Sequence, residues 1–314
     1  MTVLAPVRNR QSYRHEAFFW RDAADFSDAM VRFVKDGLAE DEAVMVALVP
    51  AHAEWIRDGL GREADLVTFV DMAELGRNPA RIIPAWQQFL SCHSGYGRPA
   101  RGIGEPIWFG RRPEEVSECQ LHEALLNVAL KADTPFWLVC PYNEQRLDPS
   151  IIEEAHRSHH AILESESYRG STRYGGRAHI DALFAAELPQ LSGGAARYIV
   201  TAQNLYDVFA FVTREAYAAD LWSHQALNLA AAARHVASDS LLRGADRAEV
   251  RIWNDPSAVI CEVTDSTAVT DVLAGRHVPA GDHDRGLWAA NQICDLVQLR
   301  STPSKTTVRL FAWK

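Results

Sequence analysis

The chain has 314 residues, 47% apolar and 23% charged, with a formal net charge of −9. That length and apolar content suffice for two domains, each with its own core, and the acidic balance argues against a nucleic-acid partner, which would favour a basic face. No stretch of about 18 apolar residues is present to span a bilayer. The pair Arg111-Arg112 sits among acids and reads as solvated surface. The first residues, MTVLAPVRNRQSYRHE, contain arginines and no long apolar run, so no signal peptide is expected. Five cysteines (Cys92, Cys119, Cys140, Cys261 and Cys294) form no CxxC pair. Reduced, mostly buried thiols in a cytoplasmic protein are the expectation.

From about Phe18 to Glu164, short runs rich in β-branched and aromatic residues alternate with amphipathic segments. EAVMVALV, ADLVTFVDM, ARGIGEPIW and TPFWLVCPY read as strands. Helices are predicted after Asp22, around HAEWIRDGL, from Pro79 to Ser91 and over EEVSECQLHEALLNVAL. Such alternation predicts an α/β domain with a mostly parallel sheet and helices on both faces. No GxxxxGK[ST] follows any strand, so a phosphate cradle of that kind is missing.

ESESYRGSTRYGGR is polar and glycine-rich, and QLSGGAA follows the apolar patch LFAAELP. The stretch 170–194 is read as a linker between domains at 14–169 and 195–314. Beyond it the order of elements changes. Helices come first, in NLYDVFAFVTREAYAA and LWSHQALNLAAAARHVASDSLL. Then RAEVRIW and AVICEVTD form a hairpin about Asn254-Asp255-Pro256-Ser257, followed by a loop, a helix over GLWAANQICDLV and a last hairpin. Helices on one face of an antiparallel sheet make an α+β sandwich.

In the first domain a ligand belongs at the C-terminal ends of the parallel strands. RGIGEPIW brings Glu105 and Trp108 to such an end. In ECQLHEALLN, Glu118 and His122, like Cys119 and Glu123, are four apart and share a helix face. An effector pocket of Glu105, Trp108, Cys119 and His122 is therefore a candidate. The competing reading makes Cys119, Leu121, Leu125 and Leu126 core, with His122 and Glu123 capping backbone or facing water. His15 and Tyr142 are expected to border the same end of the sheet. HEALL lacks the second histidine of a zinc-protease motif.

The run from Arg234 to Trp313 resembles the ATPase domain shared by histidine kinases and RsbW-type anti-sigma-factor serine kinases. The resemblance rests on LLRGADRAEVRIW, CEVTD, DRGLWAANQICDLV and KTTVRLF. In that family a helix carries a Glu and, four residues on, a Mg²⁺-holding Asn; the Glu activates the nucleophile, and a strand-end Asp reads the adenine. The resemblance implies ATP or ADP with Mg²⁺ as cofactor, with Asp265, Thr267, Gly286, Leu287 and Thr306 in the nucleotide site. Aligned through LLRGADRAEVRIW, the Glu and Asn positions fall on His235 and Asp239. Aligned through Arg234-His235, they fall on Leu227 and Ala231. Either way the Glu/Asn pair is absent, and Asp265-Ser266-Thr267 lacks the family's glycine, which implies a nucleotide site weakened or lost. Asp239 remains a candidate Mg²⁺ ligand, and with His235 it shares one helix face, a spacing that metal sites use.

With YRHEAFFW, FVKDGL, VDMAELGRNPARIIPAW, RGIGEPIW and CQLHEALLN, residues from about Arg14 to Arg169 resemble the MEDS sensory domain. The whole chain thus resembles RsbA-family anti-sigma regulatory proteins. That resemblance implies an unidentified small-molecule effector and a partner that is a sigma factor or an anti-sigma antagonist of STAS type, with no efficient phosphoryl transfer. The alternatives are an active ATP-dependent serine kinase acting on a STAS-type antagonist, and a regulator whose C-terminal domain serves to form a homodimer, for which LAAAARHVA offers a close-packing face.

Overall fold

The computed structural model describes residues 12–94, 98–164, 167–279, 281 and 285–314. The chain divides into two compact units, Met1–Ile180 and Asp181–Lys314.

The first unit begins with a strand inside the span NRQSYRHEAFFW, N-terminal to those expected. β1 (Arg14–Trp20) leads into α1 (Ala23–Ala39), β2 (Ala43–Leu48), α2 (Pro50–Leu60), β3 (Thr68–Asp71), the one-turn α3 (Met72–Leu75), α4 (Ile82–Ser94), β4 (Ala100–Gly104) and α5 (Pro113–Ala129). β5 (Phe136–Asn143), α6 (Pro149–Ser158), β6 (Ala161–Glu164) and β7 (Ser167–Gly170) complete the series, and α7 (Gly176–Ala185) contains the division between the units. Helix starts follow local chemistry. Asp22 accepts from the backbone N–H groups of Ala24 and Asp25, Asp148 accepts from Ser150, and prolines occupy the first turns of α2, α5 and α6. Residues 64–67 of ADLVTFVDM lie in a 3₁₀ turn (61–66) and its end, leaving a short, half-exposed edge strand.

The seven strands run in the order β3-β2-β4-β5-β1-β6-β7, parallel except for the antiparallel β6–β7 pair. Side-chain alternation gives the sheet two buried faces. On one face Phe18, Val46, Ile103 and Val139 pack with Phe26, Met30 and Val34 of α1 and Ala53 and Ile56 of α2. On the other, the glycines of β4 make room for a tryptophan of α4. A Cβ on Gly102 would lie 2.8 Å from both Trp86 and Phe136, and one on Gly104 3.2 Å from Trp86. Trp86 is 1% exposed; burying an aromatic side chain of this size is worth about 1.5–3 kcal/mol. These glycines serve helix-to-sheet packing, where the sequence suggested only a tight path.

In the second unit the described elements are β8 (Ala196–Val200), α8 (Asp207–Ala218), α9 (Ser223–Leu242), β9 (Ala248–Asn254), β10 (Ala258–Asp265), α10 (Arg285–Ile293), β11 (Leu296–Thr302) and β12 (Lys305–Trp313). The sheet is antiparallel, in the order β11-β12-β10-β9-β8, with α9 packed on β9, β10 and β12. The β9–β10 hairpin turns where Asp255 accepts from the N–H and hydroxyl of Ser257. α10 is shorter than expected. It ends at Ile293, and Leu296 and Val297 begin β11 opposite Phe311 and Leu310. Asp295 accepts from the N–H of Trp313 and fixes that corner. All of α7 and the segment after it lie in the stretch read as linker. Pro189 there accepts from Arg309, and Leu191 packs with Trp253 and Trp313 against the sheet. Among the described residues, no helix is long and apolar enough to cross a membrane.

Candidate functional site

Two places in the first unit bring functional side chains together. The first lies where the chain leaves β2 and β4. β2 is followed by α2 on one face of the sheet, and β4 by α5 on the other. The strand ends between them therefore open a crevice, the usual ligand position in such sheets. A cleft of about 150 Å³ at that point is lined by Trp20, Val49, His52, Glu105, Trp108 and Arg146, with further apolar side chains. Glu105 is buried at its floor and accepts from His52 Nδ1 at 2.8 Å and from the N–H of Val49 at 3.4 Å. Burial raises the Glu105 carboxyl above its ordinary pKa, against the lowering effect of His52 and Val49. His52 in turn is enclosed by Trp20, Phe26 and Trp55, with ring centroids 4.7–5.4 Å away.

Of the four side chains proposed for an effector pocket, Glu105 and Trp108 meet in this cleft; Cys119 and His122 do not line it. Cys119 is buried on α5 and its thiol donates to the carbonyl of Pro106 at 3.2 Å. Burial pushes that thiol up to about 12, so it is not a nucleophile at neutral pH. His122 is buried on the same helix together with Leu121, Leu125 and Leu126. Cys119, Leu121, Leu125 and Leu126 are core, as the competing reading has it, while neither His122 nor Glu123 faces water. Arg111 also departs from expectation. It is buried, stacks on Trp108 at 4.3 Å and donates to the carbonyls of Pro106 and Gly76, which holds the loop beside the cleft; Arg112 alone is exposed.

The second place lies within the sheet's α5/α6 face, and the sequence reading did not assemble it. His15 of β1, Cys140 of β5, Glu123 of α5 and His159 after α6 converge, each at most 1% exposed. Their ligating atoms all lie within 4.8 Å of one another. One oxygen of Glu123 is 3.0 Å from His15 Nε2 and 2.9 Å from His159 Nε2, and the Cys140 sulfur is 3.4 Å from His15 Nε2. The far nitrogens are held separately, His15 Nδ1 by Asn127 Oδ1 at 3.2 Å and His159 Nδ1 by the Ala155 carbonyl at 2.8 Å. Burial favours the neutral carboxyl, yet the hydrogen bonds and charges of His15 and His159 outweigh it, and Glu123 stays well below the usual carboxylate range. His15 is lowered by burial first and by His159 next. The four residues come from four elements spread over 145 positions, so no spacing motif announces them. The signal that could have found them is polarity at core positions: RHEAFFW, VCPY and HRSHHA each set a His or Cys within a buried run.

In the second unit the residues named for a nucleotide site fall into two groups. Asp239 of α9 accepts from the N–H groups of Gly286 and Leu287 at 3.1 and 2.9 Å, so its carboxylate caps α10. A Cβ on Gly286 would lie 2.3 Å from the carbonyl oxygen of His235. This glycine therefore lets α10 press against α9. His235 is half-buried, and burial and Arg234 lower its pKa. At the strand end, Asp265 accepts from Arg243 at 2.9 Å and from the N–H of Thr267 at 2.7 Å. Thr306, opposite Asp265 in the β10–β12 register, donates to the Thr267 carbonyl at 2.7 Å. Arg243, the C-cap of α9 one turn beyond Asp239, also donates to the Thr267 hydroxyl. The two alternative positions, Leu227 and Ala231, carry no ligating group. Residues 282–284 of GDHDRG lie outside the described residues.

Residues 14–160 match the family described as MEDS: MEthanogen/methylotroph, DcmR Sensory domain. The first unit is thus similar to a sensory domain, which points to a role in signal transduction. No curated protein matches the chain.

Proposed function

We propose that this protein is a cytoplasmic signalling regulator. Its sensory unit takes a small-molecule effector in the cleft of Glu105, His52, Trp20 and Trp108. Its second unit, with the fold of a histidine-kinase-type ATPase, contacts a sigma factor or a STAS-type antagonist without efficient phosphoryl transfer. An effector that binds one conformation better than another shifts the balance of partner-binding states.

The observation that carries the second half is the engagement of Asp239. Phosphoryl transfer needs a metal clamp and a positioned nucleophile. At this helix both oxygens of the only carboxylate aligned with the metal-holding position accept backbone N–H groups at the start of α10. Those same N–H groups are what a helix N-terminus would otherwise offer to phosphates. The carboxylate aligned with adenine recognition is likewise engaged, by Arg243 and Thr267. A nucleotide would have to displace these bonds and gain its own without the Glu/Asn pair. The cleft carries the first half: a buried acceptor and aromatic walls at the strand ends suit a small ligand that donates a hydrogen bond and is otherwise apolar.

Titration calorimetry with ATP and ADP, with and without Mg²⁺, tests the reading of the second unit. No binding up to millimolar nucleotide is expected. Micromolar, Mg²⁺-dependent binding of ATP overturns it in favour of an active kinase.

A further inference from the structure

The cluster in the core of the sensory unit has more ligating capacity than its own hydrogen bonds use. Asn127 donates through its amide nitrogen to the Ser158 carbonyl at 2.8 Å, so its oxygen is the atom that faces His15. That fixes the proton of His15 on Nδ1. The Ala155 carbonyl fixes the proton of His159 on Nδ1 in the same way. In the neutral rings, both Nε2 atoms then present lone pairs to the same carboxylate oxygen of Glu123, and the one thiol hydrogen of Cys140, beside His15 Nε2, serves at most one of them. Lone pairs facing a carboxylate need a positive charge between them. Protons on both rings would supply it at high cost, since the ring centroids are 4.1 Å apart and neither ring touches water. The second oxygen of Glu123 is buried and has no hydrogen-bond partner, and His159 Nε2 has none of good geometry.

We propose that Nε2 of His15, a carboxylate oxygen of Glu123, the thiolate of Cys140 and Nε2 of His159 bind one divalent transition-metal ion of the zinc class. Metal–ligand distances of about 2.0–2.3 Å give tetrahedral edges of about 3.3–3.8 Å. The atoms here stand 2.9–3.4 Å apart where they touch and at most 4.8 Å apart elsewhere, so small side-chain shifts complete the geometry. Charge closes as well. On binding, the thiol proton leaves to solvent, and a dication with one thiolate, one carboxylate and two neutral imidazoles sums to zero in a buried site. Thiolate and imidazole select zinc-like ions over Mg²⁺ or Ca²⁺, which prefer oxygen. The carbonyl of Ala155 and the amide of Asn127 are the outer partners that orient ligating histidines in such sites. Four buried protein ligands make this a closed site. It ties β1 and β5 to α5 and to the turn after α6, beneath the sheet whose far ends form the effector cleft.

The test uses the full chain, purified without chelator from culture supplemented with zinc or with cobalt. Mass spectrometry of the metal content is expected to find about one ion per chain. The cobalt form is expected to show tetrahedral d–d bands and a thiolate charge-transfer band. Cys140→Ser should lose the charge-transfer band, and His159→Ala most of the metal, while Cys119→Ser on the same unit keeps both. Wild-type protein that carries neither ion overturns the proposal whether or not the variants fold. So does a thiolate band that survives in Cys140→Ser. Nucleotide titration is independent of either result, so the two readings fail separately.

Discussion

The cluster around Glu123 and the pocket around Asp239 hold similar residue types and behave oppositely. Both are buried and both set a carboxylate beside backbone or imidazole nitrogen. Asp239 uses both oxygens on helix N–H groups, and Asp265 nearby uses both on Arg243 and Thr267. Glu123 leaves one oxygen without a partner and receives two histidine nitrogens on the other. Buried polar groups that satisfy one another act as structure. Those that converge without satisfying one another mark a place where something else belongs. By that criterion the first unit, and not the second, carries the more open site.

The largest expected effect comes from breaking the open cluster. Glu123→Ala removes a carboxylate that balances the proposed dication, and a charge left uncompensated in the core costs about 3–5 kcal/mol. Urea unfolding followed by a probe in the first unit reads this directly, and a loss below about 1 kcal/mol would mean that Glu123 is not the hub of the cluster. The closed pocket gives smaller effects of a different kind. Gly286→Ala forces a methyl into the His235 backbone and should cost about 1–3 kcal/mol or more by overpacking. Asp239→Ala removes two caps and should cost about 1–2 kcal/mol. Calorimetric unfolding of the second unit checks both; a neutral Asp239→Ala would release that carboxylate from the structural role assigned to it.

The smallest effect is a pH dependence in the cleft. Burial raises Glu105, so the folded protein holds that proton more tightly than the unfolded chain does. Its contribution to stability is full below the ordinary carboxylate pKa of about 4.3 and is lost as pH rises through the raised folded value. Glu105→Gln carries no such proton. The variant should therefore gain on wild type as pH rises above about 4.3 towards the raised folded value in denaturant titrations. A difference that stays flat across that window removes Glu105 from the titrating groups. In effector titrations the same substitution is expected to shift the dose response.

How far the sequence could be read differed between fold and site. Strand–helix alternation marked most of the parallel sheet, because strands buried on both faces are continuous apolar runs, as in EAVMVALV. RHEAFFW does not read as a strand, for it begins with three charged or titratable residues, and apart from the local Arg14–Glu16 pair their partners (Trp137, Glu123, Asn127 and Cys140) lie more than a hundred positions away. Leu296 and Val297 continue the apolar pattern of the last helix, so the sequence predicts four residues more than it has; their cross-strand partners, Phe311 and Leu310, decide otherwise. Glu105 and Trp108 were legible because a strand end in a parallel sheet is a predictable ligand position. Cys119 and His122 were placed with them by helix spacing, and spacing does not say which face of α5 meets the cleft and which meets the core.

The sequence by itself determined that two differently built units follow one another, that the first alternates strand and helix, and that the Glu/Asn pair of the resembling ATPases is absent. These are local or compositional properties, carried by periodicity and by residue identity at one place. Only the tertiary structure decided what Asp239 does and what Glu123 lacks. Both depend on which groups from distant elements share a buried volume, and the hydrogen-bonding state of a buried carboxylate is fixed by those neighbours, not by the residues beside it in the chain.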